Sequence, residues 1–349
     1  MGDHWSNRAD LLITLRLKMT ALYLLLAFAP ILPILLGVVL IIARLRTKWN
    51  KSPVCLAGKT VIVTGANSGI GFSTAFEFAI RGAKVILACR SISLAEKARK
   101  KIMEDTQNPN VFVRIVDLAS FKSVRAFAAE INNSEDRLDI LVNNAGAIME
   151  GGRTVDGLSK NLQVNSLGPF LLTLLLIDLL KRTNSSRIVN VGSATIYYAT
   201  LNLNDLNYYS PSIFARVAVF NYANSKLCSV ILTNELARRL KSSGVTVNTV
   251  DPGLVYTGIA REWNIIGKIM FVCVKLLLRS SKEGAQGSIY VAISKNLADV
   301  TGKVFMNSVE TWVPSIVNNQ KIAKELWEIC LSFLQVTDEE RLSISYIEK

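Results

Sequence analysis

The sequence predicts an α/β fold, with a doubly wound parallel sheet in a single folded domain and one transmembrane helix in front of it. Short runs rich in β-branched residues alternate with longer stretches of helical period. Repeated strand–helix–strand units give a parallel sheet with helices on both faces. The length of 349 residues suits one such domain plus an appendage. The predicted strands are Thr60–Thr64, Lys84–Ala88, Val111–Val116, Ile140–Val142, Arg187–Val191 and Val245–Val250, and the helical stretches between them include Phe72–Arg81, Leu94–Met103 and Lys122–Ile131.

The appendage is an apolar segment near the amino terminus. From Met19 to Ala43 the chain has 25 residues without a charge. As a helix they would be about 37 Å long, against roughly 30 Å for the hydrocarbon core of a bilayer. The segment is longer than the apolar region of a signal peptide and runs directly into Arg44, so we expect an uncleaved anchor. Pro30 and Pro33 leave a kinked span or a re-entrant hairpin as alternatives to a straight helix.

The net charge of +13 is concentrated beside this segment. Residues 1–59 carry eight Lys or Arg and two Asp or Glu, which gives +6 for that stretch alone. Such a gradient favours a membrane surface over nucleic acid as the partner. Four basic residues follow the predicted span and three precede it, a margin that only weakly places the carboxyl side in the cytosol.

Histidine and cysteine usage excludes several kinds of chemistry. The one histidine, His4, precedes the folded part, so no Ser-His-Asp or Cys-His arrangement and no His-containing zinc site is expected there. The five cysteines are scattered and contain no C-x-x-C pair. We therefore expect reduced thiols, with neither a disulfide framework nor a metal site.

A glycine-rich turn follows the first predicted strand. The run Thr64-Gly65-Ala66-Asn67-Ser68-Gly69-Ile70-Gly71 leads directly into a helix. Glycines in this position let the backbone approach a pyrophosphate held at the helix amino terminus. On its own the run is also compatible with a plain strand-to-helix turn.

The spacing of this turn resembles that of the short-chain dehydrogenase/reductase family, and later motifs extend the resemblance from about Leu56 to Leu334. Asn143-Asn144-Ala145-Gly146 follows the fourth strand, Ser193 follows the fifth, Tyr222 and Lys226 open a helix, and Asp251-Pro252-Gly253 ends the sixth strand. The resemblance implies a Rossmann-type sheet that binds a nicotinamide dinucleotide. The cofactor-binding residues it implies, together with Arg90 discussed below, are Gly65, Asn67, Ser68, Gly69, Ile70, Gly71, Asp117, Leu118, Asn144, Ala145, Gly146, Tyr222, Lys226, Pro252, Gly253, Val255 and Thr257.

Tyr222 and Lys226 also predict acid–base chemistry from their spacing. Side chains at i and i+4 lie on one helix face, so the ammonium of Lys226 can favour ionisation of a phenol whose usual pKa is about 10. The pair then suits proton transfer to or from a carbonyl/alcohol pair. The alternative for this pair alone is an exposed Tyr-Lys contact on a helix.

Two more catalytic residues are expected. Ser193 would hydrogen-bond the substrate oxygen, although in isolation a strand-end cap is the commoner role. By resemblance, Asn165 would hold a water in a proton relay behind Lys226; its alternative is a satisfied asparagine in a buried helix.

The end of the second strand predicts the cofactor. An acidic residue there binds the ribose 2′-hydroxyl of NAD, whereas an arginine accommodates the 2′-phosphate of NADP. This chain has Cys89-Arg90-Ser91 and no carboxylate before Glu96. We therefore expect NADP (NADPH), with a merely solvated Arg90 as the alternative. By resemblance, Asp117 and Leu118 contact the adenine, and Val255 and Thr257 seat the nicotinamide amide.

Within the family, the chain is most similar to the membrane-anchored retinol dehydrogenases and related polyprenol-type enzymes. The similarity lies in the segments 85–90, 167–173, 225–227 and 284–286 and in the regions of Trp312 and Trp327. That branch usually has a histidine where this chain has Pro169, and another soon after the catalytic serine. Steroids, polyprenals and other lipid aldehydes therefore stay as alternative substrates.

Two apolar segments favour a lipophilic substrate. The insertion between Ser193 and Tyr222 is rich in aromatic residues, which suits an apolar site but is also compatible with a satellite core. Residues 263–278 are apolar but too short and charged to span a membrane, so we expect a lid at the membrane surface, with an ordinary buried helix as the alternative. The aromatic residues of the insertion are Tyr197, Tyr198, Tyr208, Tyr209, Phe214 and Phe220.

These inferences predict five regions and one activity. The regions are a flank (1–18), the anchor (19–43), a basic linker (44–58), the catalytic domain (59–335) and a polar tail (336–349). The expected protein is a single-pass membrane enzyme, in the endoplasmic reticulum with its catalytic domain in the cytosol. It would use NADP(H) to interconvert a lipophilic aldehyde or ketone, most simply a retinoid, and its alcohol. A cofactor-binding membrane scaffold without turnover is the non-enzymatic alternative, and the sequence predicts neither the oligomeric state nor the direction of the reaction.

Overall fold

A computed structural model of the chain describes residues 19, 37–38, 41–42, 44–149, 152–183, 185–208, 215–256, 278–337 and 340. The chain divides into two units, 1–46 and 47–349, and the fold below is that of the second. Most of the predicted anchor (19–43) lies outside the described residues. Of the helices that are described, none alone is long and apolar enough to cross a membrane; Lys160–Leu175 and Ile177–Thr183 meet that test only as a pair, across a 54° bend.

One sheet organises the second unit. The eight strands of the described residues lie in the order β3-β2-β1-β4-β5-β6-β7-β8. All neighbouring strands are parallel except β7 and β8, which pair antiparallel. The predicted parallel α/β sheet is confirmed, and β7 and β8 are additions to it. The strands are β1 (Thr60–Thr64), β2 (Lys84–Cys89), β3 (Val111–Ile115), β4 (Ile140–Asn143), β5 (Arg187–Val191), β6 (Thr246–Asp251), β7 (Val304–Met306) and β8 (Val309–Glu310).

Helices cover both faces of the sheet, as its fully buried strands require. The helices are α1 (Gly69–Ile80), α2 (Ile92–Thr106), α3 (Phe121–Ser134), α4 (Lys160–Leu162), α5 (Gly168–Leu175), α6 (Ile177–Thr183), α7 (Ala215–Arg239), α8 (Ser281–Ile293) and α9 (Gln320–Leu334). Alternate residues of β1 point to opposite faces of the sheet. Val61 and Val63 pack in a first core with α1, α2 and α8, and Ile62 packs in a second core with α3, α5, α7 and α9.

The strand order fixes where a ligand can bind. The chain runs outward from β1 to β3 and then returns to place β4 on the other side of β1. Connections that leave β1 and β4 in opposite directions open a crevice at the carboxyl ends of these strands. The loops that carry the predicted motifs all follow carboxyl ends of strands, so the fold gathers them at one edge.

The segment before β1 is fastened to the domain. The guanidinium of Arg81, which caps α1, donates hydrogen bonds to the carbonyls of Ser52 and Val54 and pairs with Glu77. The backbone N–H of Asn50 donates to the side-chain carbonyl of Gln286 in α8 at 2.8 Å. The predicted linker is therefore docked on the domain over this stretch.

Helix α9 closes the second core. Its Trp327 is fully buried, with its ring edge-on to that of Phe170 at 4.9 Å between centroids. The guanidinium of Arg239 lies 4.2 Å from the centre of the indole. This one side chain therefore connects α5, α7 and α9.

We expect Trp327→Ala to lower the free energy of unfolding by about 3–5 kcal/mol, because it leaves a large cavity in a packed core. Urea denaturation of the full chain in detergent measures this loss. Trp312→Ala is the matched control, since Trp312 is exposed and stacks on Tyr197. Equal losses in the two variants would contradict the role of Trp327 in joining the helices.

Candidate active site

A cleft of about 340 Å³ lies at the carboxyl edge of the sheet. The structure brings into its lining most of the residues predicted from the sequence: Gly65, Asn67, Ser68, Gly69, Ile70, Arg90, Asp117, Leu118, Asn144, Ala145, Gly146, Tyr222, Lys226 and Pro252. Gly71, Gly253, Val255, Ser193 and Asn165 are close by in the chain but are not among the lining residues. Thr257 lies outside the described residues, so its predicted role stays a prediction.

The glycine turn has the shape that a phosphate group requires. Gly65 and Gly69 have φ angles of +67° and +61°, which side chains other than glycine rarely adopt. A Cβ at Gly71 would lie 2.5 Å from the carbonyl oxygen of Gly65. Ser68, the N-cap of α1, makes no side-chain cap hydrogen bond, so the first N–H groups of the helix are not capped by it. This cradle fits the pyrophosphate of a dinucleotide.

Thr64 joins the glycine turn to the loop after β4, a role that the sequence analysis missed. Its hydroxyl accepts hydrogen bonds from the N–H groups of Asn144 and Ala145, each at 2.9 Å. In return, the side-chain amide of Asn144 donates to the carbonyl of Thr64 at 2.8 Å. The signal available in the sequence was a hydroxyl residue at the end of an otherwise apolar strand.

The end of β2 forms one side of the cleft. Cys89 is buried, and burial raises the pKa of its thiol to about 11, so it is a neutral thiol at physiological pH. The next residue, Arg90, is exposed and makes no hydrogen bond or ion pair to another described residue. Asp117, after β3, accepts a hydrogen bond from the N–H of Ala119 at 3.0 Å. The guanidinium of Arg90, which lines the cleft, is thus positioned where a phosphate could reach it.

Tyr222 and Lys226 lie side by side on α7, and both are buried, with 5% and 4% of their surface exposed. The Lys226 ammonium donates to the carbonyl of Val191 at 2.7 Å, and its Nζ is 5.8 Å from the centre of the Tyr222 ring. Ser193 is the neighbour that favours ionisation of the Tyr222 hydroxyl. The Thr195 hydroxyl donates a hydrogen bond to that of Ser193 at 3.1 Å.

The electrostatics of this pair differ from the prediction. Burial raises the pKa of Tyr222 to about 12, although its hydrogen bond with Ser193 opposes the rise. Burial likewise lowers the pKa of Lys226 to about 8. The expected depression of the phenol pKa by Lys226 is therefore absent in the protein alone, because loss of hydration raises the Tyr222 pKa and the charge of Asp251 adds to the rise. Tyr222 is consequently a proton donor at neutral pH.

Asn165 lies in a π-helical turn, Gln163–Leu167, between α4 and α5. Its side chain accepts a hydrogen bond from the N–H of Ala147 and donates to the carbonyl of Ala147 and to the hydroxyl of Ser225. A Cβ at Gly146 would lie 3.1 Å from Asn165 Oδ1 and 3.3 Å from Lys226 Nζ, so the two side chains flank the same glycine. Asn165 is thus a satisfied buried asparagine beside Lys226, and its predicted water stays a prediction.

Buried charges lie beneath the site, and the sequence analysis did not assign them a role. Asp251, at the end of β6, accepts a hydrogen bond from the N–H of Gly253 at 2.8 Å. Arg279 donates to the carbonyl of Pro252 at 3.2 Å. Arg279 also interacts electrostatically with Asp251, and their separation by 28 positions hid this interaction from the sequence. Val255 packs on Gly284, because a Cβ added at position 284 would lie only 2.6 Å from Cγ2 of Val255.

The aromatic insertion is described only in part. Tyr197 stacks on Trp312 with 5.5 Å between ring centroids and donates a hydrogen bond to the Trp312 carbonyl at 2.6 Å. Tyr198, Tyr208 and Phe220 are exposed. Tyr209, Phe214 and nearly all of the predicted lid, residues 263–277, lie outside the described residues. In the part of the chain that the structure describes, His, Cys, Asp and Glu side chains form no group that could hold a metal ion.

Known proteins share this architecture. Residues 59–266 match the family model of the short chain dehydrogenases. The chain is 39% identical to human retinol dehydrogenase 12 over 287 residues, which cover 82% of this chain and 89% of that protein. It is 42% identical to human retinol dehydrogenase 13 over 282 residues, covering 79% and 84%. Among solved structures, an NAD(P)-dependent gluconate 5-dehydrogenase from Beutenbergia cavernae with bound NADP superimposes with a TM-score of 0.57 at 26% identity, covering 73% of this chain and 97% of that one.

Proposed function

The chain belongs to the short-chain dehydrogenase family, and from that premise we propose that it is an NADP(H)-dependent oxidoreductase of a lipophilic aldehyde or ketone and its alcohol, with a retinoid as the first candidate. That it acts on CH–OH or carbonyl groups with a nicotinamide cofactor follows from the family and its relatives. The observation that carries the proposed chemistry is the convergence of Tyr222 and Lys226 on the cleft that holds the glycine turn.

The proposed chemistry divides the work among Tyr222, Ser193 and Lys226. When bound, the cofactor supplies or accepts a hydride. Tyr222 gives its phenolic proton to the carbonyl oxygen during reduction and takes it back during oxidation. The Ser193 hydroxyl, hydrogen-bonded to Tyr222, holds the same oxygen in place. Lys226 orients the cofactor ribose and adds positive charge beside the phenol, and we assign Asn165 to the proton relay behind it.

The chemistry at the end of β2 supports NADP over NAD. Arg90 lines the cleft, and no carboxylate follows it before Glu96. A guanidinium binds a 2′-phosphate through charge-assisted hydrogen bonds, whereas NAD would call for an acidic residue at this point. The bound NADP in the gluconate 5-dehydrogenase structure is in line with this choice.

The relatives and the aromatic residues support a lipophilic substrate. Two human relatives at about 40% identity are named for retinol. Exposed aromatic side chains follow Ser193 in the chain, which suits an apolar substrate. We further propose that residues 19–43 anchor the protein in the endoplasmic reticulum with the catalytic domain, residues 59–335, in the cytosol. Pro169, where the retinol branch usually has histidine, favours a steroid, polyprenal or other lipid aldehyde as the second candidate.

Tyr222→Phe tests the proton donor. The change removes one hydroxyl and keeps the ring, so the fold and cofactor binding should survive while kcat falls by about 10² to 10⁴. Steady-state oxidation of NADPH with an aldehyde measures the loss, and Tyr198→Phe, on an exposed tyrosine of the same region, is the control. Near wild-type turnover by a folded Tyr222→Phe protein would eliminate this role.

Arg90→Asp tests the cofactor choice. It replaces a partner for the phosphate by a repulsive carboxylate, so NADPH affinity should fall by about 10- to 100-fold while NADH affinity changes much less. Nucleotide titrations followed by fluorescence measure both. Lys97→Asp changes the net charge equally on the exposed side of α2 and should leave the preference intact. An unaltered ratio of the two affinities in Arg90→Asp would show the assignment to be wrong.

A series of aldehydes tests the substrate class. Burying each further methylene contributes about 0.8 kcal/mol, so kcat/KM should rise about fourfold per carbon until the site is filled. Retinal-sized or longer isoprenoid aldehydes should exceed C4 to C6 aldehydes by at least about two orders of magnitude at equal accessible concentration. Assays of the full chain in detergent measure this trend. If short aldehydes match long ones, the proposed lipophilic substrate is wrong.

A further inference from the structure

Three buried ionisable side chains, one acidic and two basic, lie at the base of the proposed active site. Asp251, Lys226 and Arg279 have 5%, 4% and 9% of their surface exposed. Burying a charge is costly unless another charge or hydrogen bonds compensate it. Lys226 has a role in the proposed reaction, but Asp251 and Arg279 do not. Their burial at this point of the fold therefore calls for a separate explanation.

Strand pairing brings Asp251 next to the catalytic pair. Val191 lies opposite Val250 in the β5–β6 register, and the N–H of Gly192 donates to the carbonyl of Val250 at 2.7 Å. The Val191 carbonyl is the acceptor for the Lys226 ammonium. Asp251 therefore lies at the end of β6, next to the end of β5 whose Val191 carbonyl accepts the hydrogen bond from Lys226.

Ionisable groups face Asp251 from the elements around it. From α7 come Lys226 and Tyr222, and both feel its charge. From the segment before α8 comes Arg279, which also interacts with Glu283 in the first turn of α8. Asp251 therefore interacts electrostatically with two cations, one of which, Lys226, lines the cleft.

The charges of this group depend on one another. Burial raises the pKa of Asp251, while the N–H of Gly253, Arg279 and Lys226 oppose that rise. Burial lowers the pKa of Lys226 to about 8, and Asp251 opposes that fall. At neutral pH the ammonium of Lys226 thus persists with little margin, and the nearby carboxylate is its main electrostatic support.

We propose that Asp251 is a positioning residue whose buried carboxylate keeps Lys226 in its ammonium form, while Arg279 competes for that carboxylate. The balance between the two cations would then set the upper pH limit of catalysis. This inference rests on the proposed function only in assigning Lys226 to the reaction and to cofactor binding. Asp251 is not itself among the residues that line the cleft, and in this proposal it acts through Lys226.

Two substitutions should shift the pH dependence in opposite directions. Asp251→Asn keeps an acceptor for the Gly253 N–H but removes the negative charge, so Lys226 should lose its proton earlier. The alkaline midpoint of kcat/KM should fall by about one pH unit, the lower end of the effect of a close opposite charge. Arg279→Gln removes the competing positive charge, so the midpoint should rise. Profiles of NADPH-dependent carbonyl reduction by the full chain in detergent measure both shifts.

Cofactor binding gives a readout that is independent of turnover. NADPH titrations of Asp251→Asn should match wild type at pH 6.5, where Lys226 is charged in both proteins, and should be several-fold weaker at pH 8.5. A merely structural role for Asp251 would weaken binding equally at both pH values. This measurement still tests the proposal if the aldehyde panel reveals no turnover, which would count against the proposed function alone.

Asp139→Asn is the matched control. Asp139 is a carboxylate of similar burial, 7% exposed, that pairs with Lys59 at 3.1 Å and Arg137 at 2.7 Å just before β4, at the opposite edge of the sheet. Its loss should lower the melting temperature without moving the midpoint. Should Asp251→Asn fail to fold, Arg279→Gln decides alone. Midpoints that stay fixed, or that move in the same direction in Asp251→Asn and Arg279→Gln, would overturn the proposal.

Discussion

The hydrogen bond from the Lys226 ammonium to the Val191 carbonyl is the contact on which the site depends. It joins the middle of α7 to the last residue of β5 and so fixes Tyr222, one helical turn earlier, over the edge of the sheet. The same strand end leads to Ser193, whose hydroxyl meets that of Tyr222. The side chains of Asn224 and Ser225 attach the same turn of this 25-residue helix further, because they accept hydrogen bonds from Thr200 and Asn165.

Burial gives the two partners unequal roles. In water a phenol and an amine lose their protons at similar pH, at about 10. Inside the domain the phenol holds its proton to about pH 12 and the amine to about pH 8, because each favours its neutral form where hydration is lost. At neutral pH the phenol of Tyr222 therefore holds its proton more firmly than the ammonium of Lys226 does. Forming the phenolate thus requires further positive charge beside Tyr222, beyond what the folded chain provides.

The sequence was most informative where the physical requirement is local. The buried strands, the glycine turn after β1, and the i, i+4 spacing of Tyr222 and Lys226 are properties of short segments, and they were predicted. Strands β7 and β8 have only three and two residues, too few for a period to be visible. The hydrogen bonds of Thr64 with Asn144 and Ala145, and the electrostatic interaction of Asp251 with Arg279, join residues far apart in the chain, so no local pattern marks them. The direction of the Tyr222 pKa shift depends on burial, which spacing does not reveal.

The docking of residues 50–56 on Arg81 bears on how shortened forms of this protein should be made. A form that begins at residue 59, where the family match starts, would lack the Ser52 and Val54 carbonyls that accept from Arg81. It would also lack Leu56, which is buried and whose N–H donates to the Arg81 carbonyl at 2.8 Å. The Arg81 guanidinium would then lack two of its carbonyl acceptors, and the core that contains Val61 and Val63 would be open at one edge. Apolar surface exposed in this way favours aggregation. A form that begins at residue 47, the first residue of the second unit, lacks the apolar segment but keeps the contacts with Arg81.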